Sequence, residues 1–434
     1  MFKPFQALAL AAPDVPAVIE AASGRVVTRA ELLDRAKTIA ETLPDAGLIA
    51  LQLPNSAEFV ATFLAACLRD LTVIPIDRDA PASEVTAICE HFGVRRPQSP
   101  LSQREPQLAP KARLIKLTSG STGKPKGIVT TEANLIADAT NICASMEIAP
   151  DDINLGAIPM SHSYGFSNLV TPLLLQGTPV VASNDYLPQA LLDHANRWRC
   201  TVAPLIPMVF EHLRTTAHGE FESVRTFISA GAPLSVSTSR RFRERFGIDI
   251  HSFYGCSEAG GITYDHRGAA VERGSVGAPM HGVTLDIEAA RLRVRSGSVA
   301  LGYLFDATTF EPFEDGSFRT DDLVEIRDGE VVLTGRASDL INTAGKKVNP
   351  REIEAVILEI DGVRQVKVYG EPAGARGEVV AAAIVATPDV TREHVRQFCR
   401  ARLSLHKVPR IVKLIESIPT DERGKIKLAA LAQL

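Results

Sequence analysis

The feature that most constrains the fold of this chain is a series of short apolar runs that alternate with amphipathic stretches over its first two-thirds. The runs LIALQL, LTVIPI, PVVAS, TVAPLI and TFISA have the composition of buried strands. Ahead of them, Thr28 and Glu31 form a capping-box pattern before a helix. Strands that alternate with helices predict an α/β fold, with layers of helices on mixed sheets. The apolar face of the predicted helix holds Leu32, Ala36, Ile39, Ala40 and Leu43.

A second, smaller folding unit is expected towards the C-terminus. The chain has 434 residues, more than a single hydrophobic core normally organises, so at least two domains are expected. Asn349 can cap a helix with Pro350 at its first position, and the strand-like runs QVKVYG and EVVAAAIVA follow before another helix over 391–403. We therefore expect an N-terminal α/β domain over 1–336 and a small α+β domain over 340–434.

The overall composition excludes several classes of function. The formal net charge is -4 and the pI is about 6.2, whereas nucleic-acid-binding domains usually carry a basic excess. No apolar run is long enough to span a bilayer. The N-terminal stretch MFKPFQALALAAPDVPA has a thin basic region and suits a first helix better than a secretion signal. The six cysteines form no C-x-x-C pair, which argues against a metal site or disulfide framework and favours a cytoplasmic protein.

Residues 117–127 read LTSGSTGKPKG, a stretch rich in glycine and in hydroxyl-bearing and lysine side chains. The glycines let the backbone approach a ligand closely, and successive N–H groups in such a loop can form an anion-binding nest. Lys124 and Lys126 add positive charge, so the loop suits a polyphosphate. The alternative is an ordinary surface loop. A P-loop is excluded because Pro125 stands where that motif needs Ser or Thr after its lysine.

This string resembles the phosphate-binding loop of the acyl-adenylate-forming (ANL) superfamily, which includes acyl-CoA synthetases, peptide-synthetase adenylation domains and firefly-type luciferases. Other elements occur in the family's order and extend the resemblance over nearly the whole chain. The resemblance implies an AMP-forming ligase: a carboxylate attacks the α-phosphate of ATP and expels pyrophosphate, and a thiol then takes the acyl group from acyl-AMP. These further elements are 159–165 (acid pocket), 229–234 (adenine loop), 254–258, 319–323, 335–336 and 424–426.

The resemblance also implies which residues bind the nucleotide and its metal. Tyr254 would stack on adenine, and the hydroxyl of Ser257, where the family usually has threonine, would donate to the α-phosphate. Asp322 would accept hydrogen bonds from the ribose, Arg336 would hold the ribose or a phosphate, and Glu258 would bind Mg²⁺, which usually takes one or two carboxylates. The other nucleotide-binding candidates are Thr118, Ser119, Gly120, Ser121, Thr122, Gly123, Lys126, Gly231, Ala232, Pro233 and Gly255.

Lys425 is the main catalytic candidate. Its setting resembles that of the family's lysine that bridges the carboxylate and the α-phosphate, where the ammonium would partly neutralise both reactants. The alternative is a solvated surface charge. Because Lys425 belongs to the small domain and Glu258 to the large one, the resemblance implies a mobile C-terminal domain with its hinge at Ser338. The chain departs from the family at Asp321, which replaces a glycine and adds negative charge beside the nucleotide site.

The acid-pocket segment bears on the substrate. His162 stands where amino-acid-activating relatives carry an aspartate, and the segment has no carboxylate to pair with a substrate ammonium. An unpaired ammonium in an apolar pocket is costly, so we expect an aryl or fatty acid rather than an amino acid. His162 resembles the gating residue of aryl- and fatty-acyl-CoA synthetases and is a catalytic candidate; a hydrogen-bonded structural histidine is the alternative. The residues expected to line the pocket are Phe166, Ala232, Gly260 and Gly261.

The thiol acceptor is expected to be coenzyme A, because segments 345–354 and 407–410 are most similar to acyl-CoA synthetases. A stand-alone enzyme that loads an acyl-carrier protein shares nearly all of these motifs and is the alternative. A luciferase-like oxygenase would keep the same residues and add oxygen chemistry. A non-catalytic scaffold would be expected to lose them, so the joint presence of the candidate lysines, acids and arginine favours an enzyme that uses ATP, Mg²⁺ and coenzyme A.

Overall fold

The computed structural model describes residues 1–44, 47–94, 112–119, 125–343, 346–372, 378–419 and 428–433. The chain divides into two compact units. The larger unit comprises Met1–Asp286, Arg293–Phe318 and Arg327–Val331, and the smaller unit comprises Ile287–Leu292, Arg319–Ile326 and Val332–Leu434. The smaller unit thus takes two inner segments, and also residues 332–336, that the expected ranges 1–336 and 340–434 assigned to the N-terminal domain. The functional roles attached to those two ranges stay predictions.

A mixed sheet in the larger unit carries the strand pair that flanks the candidate phosphate loop. Its first three strands in the chain are parallel, and the other three add antiparallel pairs. Apolar side chains on both faces bury it, as expected for a sheet packed between layers. In spatial order the strands are β17 (Phe310–Pro312), β16 (Gly302–Leu304), β6 (Pro125–Thr131), β5 (Ala112–Ser119), β4 (Thr72–Ile76) and β3 (Leu48–Gln52).

A second, larger sheet has a parallel centre and antiparallel edges. The antiparallel hairpin at one edge contains the 254–258 motif. In spatial order the strands are β13 (Ala278–Pro279), β12 (Gly260–Tyr264), β11 (Ile250–Cys256), β10 (Thr226–Ser229), β9 (Val202–Leu205), β7 (Asn154–Gly156), β8 (Val180–Ala182), β1 (Pro16–Glu20) and β2 (Val26–Thr28).

Helices supply the other layers of the larger unit. Thr28 and Glu31 make both hydrogen bonds of a capping box at the start of the second helix, which confirms that prediction. A π-helical segment, Phe166–Val170, joins the sixth helix to the seventh, and Ala270–Arg273 is a 3₁₀ turn. The helices are α1 (Phe2–Ala11), α2 (Arg29–Ala40), α3 (Ala57–Leu68), α4 (Ala82–Phe92), α5 (Glu132–Met146), α6 (Ser163–Gly165), α7 (Thr171–Gln176), α8 (Pro188–Arg197), α9 (Pro207–Thr216) and α10 (Val236–Phe246).

The C-terminal part of the chain begins with a four-stranded sheet. Its spatial order is β14 (Val283–Glu288), β15 (Arg291–Ser296), β18 (Ser317–Arg327) and β19 (Glu330–Arg336). Asn349 caps the next helix by accepting a hydrogen bond from the Arg351 N–H, as predicted. The remaining elements are β20 (Ile341–Thr343), β21 (Lys346–Val348), α11 (Pro350–Leu358), β22 (Val363–Pro372), β23 (Glu378–Ala386), α12 (Arg392–Arg400), a 3₁₀ turn (Leu405–Lys407), β24 (Ile411–Leu414) and α13 (Leu428–Gln433).

The architecture confirms the predicted α/β class, with mixed sheets in the larger unit and an α+β arrangement in the smaller one. The five apolar runs named from the sequence form β3, β4, β8, β9 and β10, and each end differs by at most one residue. In the part of the chain that the structure describes, no helix is both long enough and apolar enough to cross a membrane.

Candidate active site

The candidate phosphate loop joins two neighbouring antiparallel strands. Thr118 pairs with Lys126, and Ser119 with Pro125, in the β5–β6 ladder. The strands therefore fix both ends of the loop. Four predicted phosphate-binding residues fall outside the described residues, so their roles stay predictions; these are Gly120, Ser121, Thr122 and Gly123.

Lys126 lies against an aromatic pair from the next strand. Tyr303 stands opposite Ile128 in the β6–β16 ladder, which brings it beside the lysine. The Lys126 Nζ atom lies 5.3 Å from the centre of the Tyr303 ring and 5.0 Å from that of Phe305. Both distances are within the range of a cation–π contact, about 6 Å. Neither aromatic residue belongs to a motif, and the sequence analysis missed both.

Glu258 lies in the turn between β11 and β12, and this turn is docked onto the segment that leads into β16. Its Oε1 atom accepts a 2.8 Å hydrogen bond from the Tyr303 hydroxyl, and its carbonyl accepts one of 2.8 Å from the Ala300 N–H. The next carbonyl accepts from the Ser298 hydroxyl at 2.7 Å. Burial, reinforced by the Glu258 charge, raises the pKa of Tyr303 above its usual value, so the hydroxyl keeps its proton and donates.

The Glu258 carboxylate fits a magnesium ligand. Among the described residues, Tyr303 is its hydrogen-bond donor, through Oε1, and none donates to the second oxygen. In the same part of the chain no group of three or more His, Cys, Asp or Glu side chains could hold a metal by itself. Mg²⁺ commonly takes one or two carboxylates and completes its octahedron with water and phosphate oxygens. One glutamate near the strands that flank the candidate phosphate loop fits that preference, and a bound ion would offset the negative charge of the phosphates.

The β11–β12 hairpin and the loop after β10 carry the predicted adenine contacts. Tyr254 is half-buried near the end of β11. A Cβ atom at Gly255 would lie 2.5 Å from the carbonyl oxygen of Gly260 on β12, so the hairpin closes here only with glycine. Gly231 has a φ of +85°, a conformation that also favours glycine. Ala232 and Pro233 follow it and are exposed, and the adenine contacts of these residues stay predictions.

His162, at the start of the helical run α6–α7, is bound to a carboxylate from elsewhere in the chain. Its Nε2 atom lies 2.9 Å from Asp77 Oδ2, and Asp77 directly follows β4. The two side chains are 36% and 27% exposed, so water partly screens the pair. The neighbouring Ser163 hydroxyl lies 2.7 Å from that of Ser257, which ties this segment to the turn that carries Glu258.

Asp138 of α5 joins two walls of the predicted acid pocket. Its Oδ2 atom accepts a 2.6 Å hydrogen bond from the Ser167 hydroxyl, and its Oδ1 atom accepts one of 2.9 Å from the Gly261 N–H. The residue is 2% exposed. A Cβ atom at Gly260 would overlap Oδ1, so that position requires glycine. Phe166, expected to line the pocket, is 1% exposed and packs edge-on against a core phenylalanine.

Asp322 and Arg336 lie in the smaller unit and bind each other. Arg336 Nε donates a 2.9 Å hydrogen bond to Asp322 Oδ1, and the aspartate is far more buried than the arginine. Asp321, the departure from the family, accepts a 3.1 Å hydrogen bond from the N–H of Ser338, the predicted hinge residue. Its other oxygen lies 3.4 Å from the Arg291 guanidinium. Asp321, which replaces the family's glycine, therefore forms a hydrogen bond with the backbone of the predicted hinge residue.

Comparison with known families gives two matches that together span most of the chain. The family model described as AMP-binding enzyme matches residues 5–97 and 95–304. The model described as AMP-binding enzyme C-terminal domain matches residues 352–425. The second match includes Lys425, which lies outside the described residues.

Similar proteins cover nearly the full length of the chain. The sulfoacetate–CoA ligase of Cupriavidus necator is 26% identical over 96% of this chain and 94% of its own length. The long-chain-fatty-acid–CoA ligase FadD13 of Mycobacterium tuberculosis is 26% identical over 98% of this chain and 96% of its own. The crystal structure of ATP-bound MatB from Rhodopseudomonas palustris superposes with a TM-score of 0.82, at 23% identity, over 100% of this chain and 98% of that one.

Proposed function

Because the chain belongs to the AMP-binding enzyme family, we propose that it is an ATP-dependent, AMP-forming ligase that joins a carboxylic acid to coenzyme A through an acyl-AMP intermediate. The observation that carries the proposal is the shared contact of Lys126 and Glu258 with Tyr303. Two residues far apart in the sequence, each predicted to serve the triphosphate, meet on one side chain. The CoA ligases among the relatives support the choice of acceptor.

The first half-reaction joins two anions, so it needs fixed positive charge and hydrogen-bond donors more than it needs a nucleophilic side chain. Lys126 and the N–H groups of the loop supply these to the phosphates, and Glu258 would hold Mg²⁺, which would offset the charge of the phosphates. The acid's carboxylate oxygen forms a bond to the α-phosphorus while the bond to pyrophosphate breaks. Lys425 neutralises the carboxylate and the α-phosphate in this step. The thiol of coenzyme A then attacks the acyl carbonyl and AMP leaves.

Nucleotide orientation falls to residues that do not touch the reacting atoms. Tyr254 and the loop after β10 hold adenine. Asp322 accepts hydrogen bonds from the ribose, and Arg336, which donates to Asp322 through Nε, contacts the ribose or a phosphate. The 340–434 domain carries Lys425 and moves between the two half-reactions.

The substrate is an acid without an α-ammonium group. Asp138 already accepts hydrogen bonds from Ser167 and Gly261, and Asp77, beside the pocket segment, is paired with His162. A substrate ammonium would have to break that pair or remain without a partner, and either is costly in a partly desolvated site. Aryl and fatty acids avoid this cost, and they remain the expected class.

The experiment that tests the function measures pyrophosphate release from ATP and Mg²⁺ with a panel of aryl, short, medium and long-chain acids, with and without coenzyme A. Acid-dependent release with an acyl-CoA product is expected. Pyrophosphate release without a thioester product would indicate a carrier protein, rather than coenzyme A, as the acceptor. Release stimulated by α-amino acids and by no other acid would contradict the substrate class.

Lys425→Ala should lower the rate of acid-dependent pyrophosphate release by a factor of about 10²–10³, the usual cost of one electrostatic group in a transition state. The affinity for ATP, measured by calorimetry, should change less than threefold. Lys37→Ala is the matched control, because Lys37 is a half-exposed lysine paired with Asp34 in α2. A wild-type rate in the Lys425 variant would remove this lysine from the mechanism.

A further inference from the structure

We infer that Tyr303 is a positioning residue that holds the two opposite charges of the nucleotide site, Lys126 and Glu258, in separate orientations ready for a metal–ATP complex. The inference rests on the proposed function for this site. It adds a residue outside the motifs named from the sequence, with two distinct contacts, of which the hydroxyl contact can be removed alone.

The first contact is made by the hydroxyl. It donates to Glu258 Oε1 at 2.8 Å, which holds the carboxylate in one rotamer and leaves the second oxygen for a metal. The backbone of the same turn is held by the Ala300 N–H and the Ser298 hydroxyl. A hydrogen bond of this kind, from a neighbouring group to a metal-binding carboxylate, fixes the geometry of the ligand before the metal arrives.

The second contact is made by the ring face. The Lys126 ammonium lies over Tyr303 at 5.3 Å and over Phe305 at 5.0 Å, so two aromatic faces hold its charge. Within the described residues, no ion pair joins Lys126 to Glu258. A direct pair would have to be broken before the lysine could bind a phosphate. The ring instead holds the ammonium by a weaker contact that can persist when a phosphate binds.

The ring itself is held rigidly enough for this role. Tyr303 lies on β16 between the flanking aromatic residues Phe305 and Phe313, and the Phe313 ring meets it edge-on at 4.9 Å with an interplanar angle of 87°. Its strand pairs with β6, which carries Lys126 two residues before Ile128, the partner of Tyr303. The same backbone ladder therefore fixes the distance between the ring and the lysine.

Three substitutions test the hydroxyl contact and the aromatic contacts of Lys126. Tyr303→Phe removes the hydroxyl and keeps the ring, Phe305→Leu removes the second ring and keeps the hydroxyl, and Tyr303→Leu removes both contacts of the tyrosine. Tyr369→Phe is the control: it deletes a tyrosine hydroxyl that donates to the Leu431 carbonyl and lies 3.4 Å from a glutamate, in the smaller unit. Thermal unfolding of each variant checks that the fold is kept.

The first measurement uses electron paramagnetic resonance to determine the affinity of the full-length enzyme for Mn²⁺, a paramagnetic substitute for Mg²⁺. ATP is present and no acid is added. The second is the affinity for ATP in EDTA, by calorimetry. Tyr303→Phe should weaken Mn²⁺ binding about tenfold and leave metal-free ATP binding within twofold, as expected for loss of a group that orients a metal ligand. Phe305→Leu should weaken metal-free ATP binding about two- to fivefold and spare the Mn²⁺ affinity, as expected for loss of a cation–π contact. Tyr303→Leu should show both losses.

Wild-type Mn²⁺ affinity in Tyr303→Phe would overturn the inference, and so would an equal loss of ATP affinity with and without metal, which would mean that Tyr303 only packs. Because the phenylalanine variant differs by one oxygen atom, the inference stays testable even if Tyr303→Leu fails to fold. The proposed function fails separately: a wild-type enzyme that binds neither ATP nor Mn²⁺–ATP and releases no pyrophosphate would overturn it. Pyrophosphate release by a wild type whose Tyr303→Phe variant is unchanged would overturn the role of Tyr303 alone.

Discussion

Replacing Asp138 tests whether one buried carboxylate holds two walls of the acid pocket together. Asp138→Ala removes the acceptor of the Ser167 hydroxyl and of the Gly261 N–H and leaves both donors buried. Each hydrogen bond to a charged group is worth about 1.5–3 kcal/mol, and relief of the buried charge offsets part of the sum, so the expected loss of unfolding free energy is about 3 kcal/mol. Asp138→Asn should cost about 1 kcal/mol, because the amide oxygen still accepts from Gly261 and the serine hydroxyl can turn to accept from the amide.

Urea unfolding, followed through the transition of the larger unit, measures these losses. Asp193→Ala is the control, since this exposed carboxylate only accepts a bond from Gln189 on α8 and should cost less than about 0.5 kcal/mol. In the kinetic assay, Asp138→Ala should also raise the KM for the acid about tenfold while the KM for ATP stays within twofold, because the loosened walls belong to the acid pocket. A loss below about 1 kcal/mol, or equal losses for alanine and asparagine, would refute the reasoning.

Two further predictions concern pairs seen in the structure. Asp77→Asn should raise the KM for the acid about two- to fivefold and leave the KM for ATP unchanged, because the half-exposed pair of Asp77 with His162 is worth about 0.5–1 kcal/mol. Initial-rate kinetics measure both constants, and a changed KM for ATP would contradict this prediction. Asp321→Gly restores the family's residue and should speed amide exchange at Ser338 about tenfold, because the Ser338 N–H loses its acceptor. Asp321→Asn keeps a side-chain oxygen as the acceptor and is the control. Hydrogen exchange of a peptide over 332–343 measures this, and equal exchange in wild type and the glycine variant would refute the hinge contact.

Local structure could be predicted because its causes lie within a few residues of each other. The capping box at Thr28 and the cap at Asn349 depend on partners two or three positions away. The buried strands are visible in the sequence as apolar runs bounded by turn residues. The motifs also predict Lys126 as a nucleotide-binding residue and Glu258 as a Mg²⁺ ligand. They do not say how the two side chains are oriented, because that depends on β16, which joins the sheet from far along the chain.

Three of the residues that the sequence analysis missed share one property: each is the hydrogen-bond partner of a predicted residue or pocket wall, supplied by another element. Tyr303 binds Glu258, Asp77 binds His162, and Asp138 binds Gly261. Strand register and helix packing bring these pairs together, and neither can be calculated from local propensity. Only contacts between elements reveal which side chain faces which.

A signal for two of them is nevertheless present in the sequence. Asp77 directly follows the apolar run LTVIPI, and the carboxyl end of a parallel strand is where functional side chains gather in α/β sheets. Asp138 shares a helical stripe with Leu135, Ala139 and Ile142, all fully buried, so it is a charge on a core-facing surface. A buried carboxylate must find donors or give up its charge. An aspartate inside an apolar helical stripe therefore predicts a buried acceptor, and in an α/β enzyme of this kind its donors are the first place to look for the walls of the substrate pocket.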